Sequence, residues 1–318
     1  MKFTATLLLS LLPAAFAAPA ITLRKRASLS EAATVGYATL NGGTTGGAGG
    51  STTTVSSLAA LKTAAAKSGA LNIVVQGTIT GDDVVDVAAD KTIVGADGKA
   101  VLQGVGLLIK DVKNVIIRNL AVKEVLASTG DAIGIQKSNN VWIDHVDLSS
   151  NQDHDKDFYD GLLDVTHACD YITLSNNYLH NHWKASLVGH SDTNESEDKG
   201  HLTVTYVGNY FHNLNSRGPS FRFGTGHIFN NYYENVSDGI NTRQGAQLLV
   251  ENNVFVGSNK PLYSTDAGYA VANGNDFGGG ENAASAGTLN SMPYKYSLVA
   301  AGSVKSSVVG TAGATLTF

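Results

Sequence analysis

The segment Asp160-Gly-Leu-Leu-Asp164 places two carboxylates four residues apart with a glycine directly after the first. Alternation along an extended chain turns both side chains to one face, but four steps of rise would hold them about 13 Å apart. Calcium takes oxygen ligands at roughly 2.3–2.6 Å, so one shared cation requires the chain to bend. Gly161 permits that bend. Asp131 stands 14 residues before His145, and Asp160 and Asp164 stand 16 and 12 before Asn176. If His145 and Asn176 mark equivalent points of a repeat, three carboxylates converge from adjacent copies. Hard oxygen donors with no His or Cys among them suit Ca2+. Upstream, Asp153-x-Asp155-x-Asp157 with Asp164 in the twelfth place imitates an EF-hand loop. Phe158 occupies the place that requires glycine and no helices flank the segment, so a solvated acidic loop is expected there, with room for at most a weak second calcium site.

The cations are patterned as well. Past residue 26 the chain has four arginines, Arg118, Arg217, Arg222 and Arg243, and three of them fall within 27 residues. Lysines number fourteen over the same region and are spread out. The planar, bidentate carboxylate binder has thus been concentrated. Lys184 lies eight residues after Asn176, and Arg217 lies eight after Asn209. In a stacked repeat the two would sit about 4.8 Å apart, and stacked like charges ask for an anionic ligand. Arg222 and Arg243 fall nearly in phase in the same way, eight before Asn230 and nine before Asn252.

The elements that must position these groups are short. Runs such as Ile73-Val-Val75, Thr92-Ile-Val94, Leu107-Leu-Ile109 and Val115-Ile-Ile117 are β-rich and separated by Gly, Asp and Asn. A polar residue, usually Asn, recurs two places after an apolar one at Asn119, His145, Asn176, Asn209, Asn230 and Asn252, with spacings of 26, 31, 33, 21 and 22 residues. A fixed local motif with a drifting period is the mark of a solenoid that carries loops of variable length at its corners. Three short strands per turn give an all-β parallel β-helix in which those residues stack as a hydrogen-bonded ladder. A sandwich or barrel would leave the phased Asn without a reason. Ser56 to Lys67 reads as one short helix, with Ser56 or Ser57 as N-cap and Leu58, Leu61 and Ala65 on one face, placed to cap the open end of the coil. Trp142 is expected in the core, and Trp183 as either a sugar-stacking platform or packing. The tail from Ser258 to Phe318 is expected to wrap one side.

Composition bounds the class. Residues 1–17, with Lys2, an apolar run from Leu7 to Leu12 and a small-x-small ending at Ala15-Phe16-Ala17, read as a secretory signal peptide. Arg24-Lys25-Arg26 closes a short pro-segment over 18–26, leaving 27–318 as a single domain that is secreted and extracellular. The apolar run is too short to span a membrane. The mature region carries 18 basic against 27 acidic residues, which excludes a nucleic-acid partner as the ordinary reading. One cysteine, Cys169, allows no intramolecular disulfide and reads as a small buried apolar residue. Two sequons, Asn194-Glu-Ser196 and Asn235-Val-Ser237, fit a secreted glycoprotein.

Taken together, Trp142-Ile-Asp-His145-Val-Asp-Leu-Ser, Asp160-Gly-Leu-Leu-Asp164, His182-Trp-Lys184-Ala-Ser-Leu187-Val-Gly189, Arg217-Gly-Pro219-Ser-Phe-Arg222-Phe-Gly224 and Asn241-Thr-Arg243-Gln-Gly-Ala resemble the successive signatures of the pectate lyase and pectin lyase family. The resemblance runs from about Ser56 to Val256. It implies a right-handed single-stranded parallel β-helix, calcium ligation by Asp131, Asp160 and Asp164, Arg217 as the base, and Lys184 and Arg222 as the groups that hold the substrate carboxylate. It also implies β-elimination on polygalacturonate, the unesterified polymer, since the calcium acids that pectin lyases lack are all present. A monomer is expected. Guanidinium groups have reference pKa values above about 12, so an arginine base implies an alkaline optimum. Ser220 departs from the family pattern, where a basic residue is frequent. Two rival classes remain at this level. A polygalacturonase-type hydrolase on the same architecture would need paired catalytic carboxylates and Gly-His-Gly and Arg-Ile-Lys motifs, of which Gly189-His-Ser191 is the nearest approach. A non-catalytic carbohydrate-binding β-helix would have no use for an arginine beside a calcium triad.

Overall fold

The computed structural model describes residues 27–318; the signal peptide expected over 1–17 and the pro-segment expected over 18–26 lie outside the described residues. The chain winds into a parallel β-helix with three strands to a full coil. One face is an 11-stranded sheet that includes Leu71–Val75, Lys113–Arg118, Asn139–Asp144, Asp170–Ser175, Thr203–Val207, Thr225–Phe229 and Gln247–Glu251. The second and third faces form one 15-stranded sheet, joined where the long strand Val101–Lys110 turns a corner. The second includes Asp147–Ser149, Tyr178–Lys184, Tyr210–Ser216 and Tyr232–Val236; the third includes Ile133–Gln136, Leu163–Thr166, Leu187–Val188, Ser220–Arg222 and Asp238–Arg243. Parallel crossovers of this kind are right-handed.

Inward positions repeat coil after coil, so like stacks on like. Ile73, Ile93, Ile117, Ile143, Leu174, Tyr206, Ile228 and Val250 lie in one register column along the first face, and all are essentially without solvent contact. On the second face Phe211, Tyr233 and Phe255 stack with ring centroids 4.7 and 4.3 Å apart and planes nearly parallel. The expected helix is present as Leu58–Ala66 with Ser57 as N-cap, its hydroxyl accepting from the Ala60 N–H. Leu61 and Ala65 are fully buried against the first coils.

The ladder differs from the expectation in phase. The stacked asparagines are Asn177, Asn209, Asn231 and Asn253, all fully buried, and the half-buried Asn275 at the end, each of the first four amides donating to the side-chain oxygen of the next at 2.9–3.0 Å. Each side-chain oxygen also accepts the backbone N–H of the residue before it in the ladder. Asn209 is the one expected member that belongs. Asn119, His145, Asn176, Asn230 and Asn252 each sit one residue earlier, in the left-handed region with φ between 49° and 53°, and Gly208 and Gly274 complete that series. Their side chains point outward. Asn230 and Asn252 donate to Val299 O, and Asn119 holds both the N–H and the carbonyl of Leu316.

Those outward asparagines clamp the C-terminal strap. The coil itself continues further than the tail reading allowed, through Lys260–Ser264 and Tyr269–Asn273. The chain then runs back along the corner. Tyr294 bonds Thr205 and His227, the helix Ala301–Val308 buries Val304 and Val308 against Tyr232 and Val254, and Gly313 N–H reaches Asn176 O. Residues 36–47 cover the outside of the first face through bonds to Thr173, Thr205, Asn114 and Thr92. Trp142 is therefore buried as expected, but outside the coil, against Ala38 and Ile116. Cys169 is a free, fully buried thiol that burial pushes up to about 12.

Candidate active site

Among the described residues, the terminal segments pack on the first and second faces, and the candidate residues gather at the corner between the second and third. Asp131 precedes Ile133–Gln136, Asp160 precedes Leu163–Thr166, Lys184 ends Tyr178–Lys184, and Arg217 follows Tyr210–Ser216. They occupy one corner on four consecutive coils, spaced by the inter-strand repeat of about 4.8 Å. Loops of different lengths close that corner, which is why the sequence spacings between these residues are irregular while their positions in space are not.

Gly161 is the pivot of the acidic part. Its N–H donates to Asp131 Oδ1 at 2.9 Å. A Cβ built on it would stand 2.6 and 2.7 Å from the Asp164 oxygens and 2.8 Å from Asp131 Oδ1. Any side chain would fill the space that the two carboxylates share. Asp164, second in its strand, points outward yet is buried, and its Oδ1 accepts the Leu187 N–H at 2.9 Å from the next coil. The chain bends at Leu162, and Asp164 faces Asp131, from the coil before, across Gly161. Asp160 lies near enough for its charge to be felt by both, with its Oδ1 turned to Lys184 Nζ at 3.2 Å. Among the described residues no three carboxylate, imidazole or thiolate groups stand ready as a metal cluster.

The electrostatics bind the set together. Burial, then the charge of Asp160, pushes Asp131 up to about 6, with the Gly161 N–H, Arg217 and Lys184 pulling the other way. Burial, then Asp131, holds Asp164 well above the ordinary carboxylate range, and Arg217 opposes it. Two carboxylates, Asp164 buried and Asp131 half-buried, that repel each other and present only oxygen donors are a fit for calcium: the donor chemistry is right, and the repulsion is what a divalent cation relieves.

The cations differ in their partners. Lys184 Nζ holds Asp157 Oδ1 at 3.1 Å and Asp160 Oδ1 at 3.2 Å. Arg222 Nε donates to Asp192 Oδ1 at 2.5 Å and its Nη1 to Gly189 O at 2.9 Å. Arg243, in direct register with Arg222, reaches Asp192 and Asp266 at 2.8 and 2.9 Å. Asp192 thus neutralises the stacked pair, a bridge that the sequence pattern did not reveal. Arg217 alone of the four has no ion-pair partner among the described residues, although its charge is felt by Asp131, Asp164 and His182. It adopts φ 64°, ahead of the Gly218-Pro219 bond, which is cis. The register partner of Lys184 is Ser216 rather than Arg217. The expected stack of Lys184 on Arg217 is therefore off by one residue, because Asn176 and Asn209 are not equivalent positions.

His182 is a residue the motif contained but the reasoning did not assign. It is buried, with Nε2 2.6 Å from Asp160 O and Nδ1 2.6 Å from Ser150 Oγ. A carbonyl only accepts, so Nε2 carries the proton and Nδ1 accepts from the hydroxyl. Burial lowers its pKa to about 4, which keeps that neutral tautomer and fixes the Asp160 backbone. The loop with Asp153, Asp155 and Asp157 is irregular and exposed, as expected. Trp183 anchors it through an Nε1 bond to His154 O at 2.9 Å, a positioning contact.

Comparison with known proteins places this geometry. The family model described as "Pectate lyase" matches residues 6–316. The chain is 63% identical over 305 residues to the probable pectate lyase A of Aspergillus flavus, covering 96% of this chain and 95% of the relative. It is 63% identical over 295 residues to pectate lyase A of Aspergillus niger, covering 92% and 91%. The crystal structure of the Bacillus sp. N165 pectate lyase Bsp165PelA in complex with trigalacturonate superposes with a TM-score of 0.81 at 34% identity, over 89% of this chain and 99% of that one. Pectate lyase II of Xanthomonas campestris superposes with a TM-score of 0.74 at 26% identity, over 89% and 98%.

Proposed function

The chain belongs to the pectate lyase family of polysaccharide lyases, and on that premise we propose that it cleaves unesterified (1,4)-α-D-galacturonan by calcium-dependent β-elimination, releasing 4,5-unsaturated oligogalacturonides from plant cell-wall pectin as a secreted enzyme. The observation that carries the reading is an arginine without an ion-pair partner among the described residues, beside a group of carboxylates of which Asp131 and Asp164 face each other, with Lys184 one coil before it and Arg222 at the end of the next strand of its own coil.

In this reading Arg217 takes the C5 proton of a galacturonate residue, and the C4 oxygen leaves. The carbanion would build a second negative charge beside an existing carboxylate, so positive charge fixed at that carboxylate lowers the barrier most. Lys184 and Arg222 hold it. Both already bind a carboxylate here, from Asp157 and Asp192, so the donors are arranged for that shape of anion. Asp131, Asp160 and Asp164 are the residues that would hold calcium, and the ion would supply further positive charge to the substrate carboxylate. Rotation of Asp160 away from Lys184 toward the Asp131–Asp164 pair would remove one of the two carboxylates on Lys184, and displacement of the exposed Asp157 by the substrate carboxylate would remove the other. His182 keeps the Asp160 backbone in place meanwhile.

The test is ultraviolet absorbance of the conjugated unsaturated product on polygalacturonate, with calcium and then with excess chelator. A rise that chelation abolishes is expected. A chelator-insensitive rise on methylated pectin would reassign the enzyme to pectin lyase activity. No rise on either polymer would favour a hydrolase or a non-catalytic carbohydrate-binding protein.

A further inference from the structure

The two Asn-x-Ser sequons, equivalent on paper, occupy opposite situations in the fold. Asn194 is half-buried, and its amide is the donor for two carboxylates, Glu197 and Asp198, each at 2.9 Å. Asp198 is fully buried and its other oxygen accepts the Ala168 N–H at 2.8 Å. Glu197 also takes a bond from His167 at 2.9 Å, and its carboxyl is held down to about 2 with the Asn194 amide as the first cause. Both amide hydrogens of Asn194 are therefore in use. Asn235 is exposed near the end of Tyr232–Val236, with φ 54°, and its amide nitrogen makes no hydrogen bond among the described residues. Its side-chain oxygen packs over Gly257, where an added Cβ would stand 2.9 Å away, which leaves the amide nitrogen as the end of the side chain without a partner among the described residues. The hydroxyl of Ser237 accepts from the Asn259 side chain and faces outward with it.

We propose that Asn235, and not Asn194, carries an N-linked glycan. The inference rests on the secretory part of the reading above and is independent of the catalytic part. Asn235 Nδ2 attacks the anomeric carbon of a lipid-pyrophosphate-linked oligosaccharide. The nitrogen–carbon bond forms as the carbon–oxygen bond to pyrophosphate breaks; one amide proton leaves, and the pyrophosphate departs with the electron pair. A glycosylated asparagine keeps a single Nδ2 hydrogen. At Asn194 this would cost Glu197 or the buried Asp198 its bond from the Asn194 amide, in the loop that also carries Asp192. At Asn235 nothing is lost. Its register neighbour Asn213 lies four residues before Arg217, up to about 13 Å along the strand, so the glycan stands beside the cleft and not in it.

The experiment is expression of the full chain in a fungal secretory host, recovery from the medium, and glycopeptide mass spectrometry with and without amidase deglycosylation, alongside N235Q and N194Q. The expected result is one N-glycan, on Asn235. N235Q then yields a glycan-free protein with unchanged turnover of polygalacturonate, and N194Q keeps the glycan but unfolds at a lower temperature. A glycan on Asn194, or an unmodified Asn235 in protein from the medium, overturns the proposal. Retention inside the cell with Asn235 unmodified overturns it together with the secretory reading. Turnover, measured on the same samples, reports separately on the catalytic reading.

Discussion

At the residue scale the site is a balance of charges that, in the proposed reading, a cation would complete. Asp131 and Asp164 have folded-state pKa values raised above the unfolded ones, Asp131 to about 6. A raised carboxyl contributes stability that is fully present below its unfolded pKa, near 4, and is lost as pH rises through its folded pKa. The ion-free protein should therefore weaken between about pH 4 and pH 6 and above, and calcium should restore what is lost. Thermal melts with calcium and with chelator are expected to separate more at pH 8 than at pH 5. A ligand at a hundredfold excess over its Kd stabilises by about 2.7 kcal/mol, the scale to look for. Identical melts at pH 8 would remove the calcium assignment, and D131N should abolish the calcium-dependent difference. For the base, R217K is expected to lower kcat by about 10²–10⁴, the usual contribution of a positioned proton acceptor, with little effect on the melting point. A pH–rate profile peaking below pH 6 would contradict an arginine in this role.

Elements set where those residues stand, and here the internal ladder matters most. Asn231 Oδ1 accepts from both the backbone N–H and the side-chain amide of Asn209, inside the coil. N231A would orphan two buried donors at about 1–3 kcal/mol each, so the unfolding free energy should fall by roughly 2–6 kcal/mol on that count alone. Denaturant titration measures it. Replacing the outward Asn252 should cost far less, since it loses one bond to the strap at Val299. If the two variants were equally harmful, the division between inner ladder and outer clamp would be wrong. The repeat was legible in the sequence because an apolar residue and an Asn recur together in each coil. The phase was not, because adjacent positions 176 and 177, 230 and 231, and 252 and 253 are all Asn-Asn, and the inner asparagine stands apart only at Gly208-Asn209 and Gly274-Asn275. That ambiguity carried over to Lys184 and Arg217, whose stacking was misjudged by one residue.

On the scale of the whole molecule, the termini decide which surface is free. Residues 36–47 and the strap from Tyr294 onward cover the first face, and the helix Ala301–Val308 covers part of the second. The corner that holds the candidate residues lies outside both. Deleting residues 297–318 uncovers Tyr232 and Val254 and releases Asn119, Asn230 and Asn252 from the strap. The truncated protein is expected to unfold at a lower temperature and to be cleaved faster by added protease while retaining kcat at low temperature. Loss of kcat without loss of folded structure would mean that the strap reaches the site, contrary to its path.

The order and residue types of the motifs were enough to read a parallel β-helix, its capping helix, and a corner where carboxylates, lysine and arginines meet, because a solenoid repeats its local rules in every coil. The partners of those groups were decided only in three dimensions. Asp160 turns to Lys184, Asp192 bridges two arginines, His182 braces Asp160, and Arg217 is left without an ion pair among the described residues. Each of these contacts joins coils separated by 22 to 51 residues, through loops whose lengths follow no period. Side-chain pairing across such loops depends on where the coils set each group in space, and spacing along the chain does not carry that information.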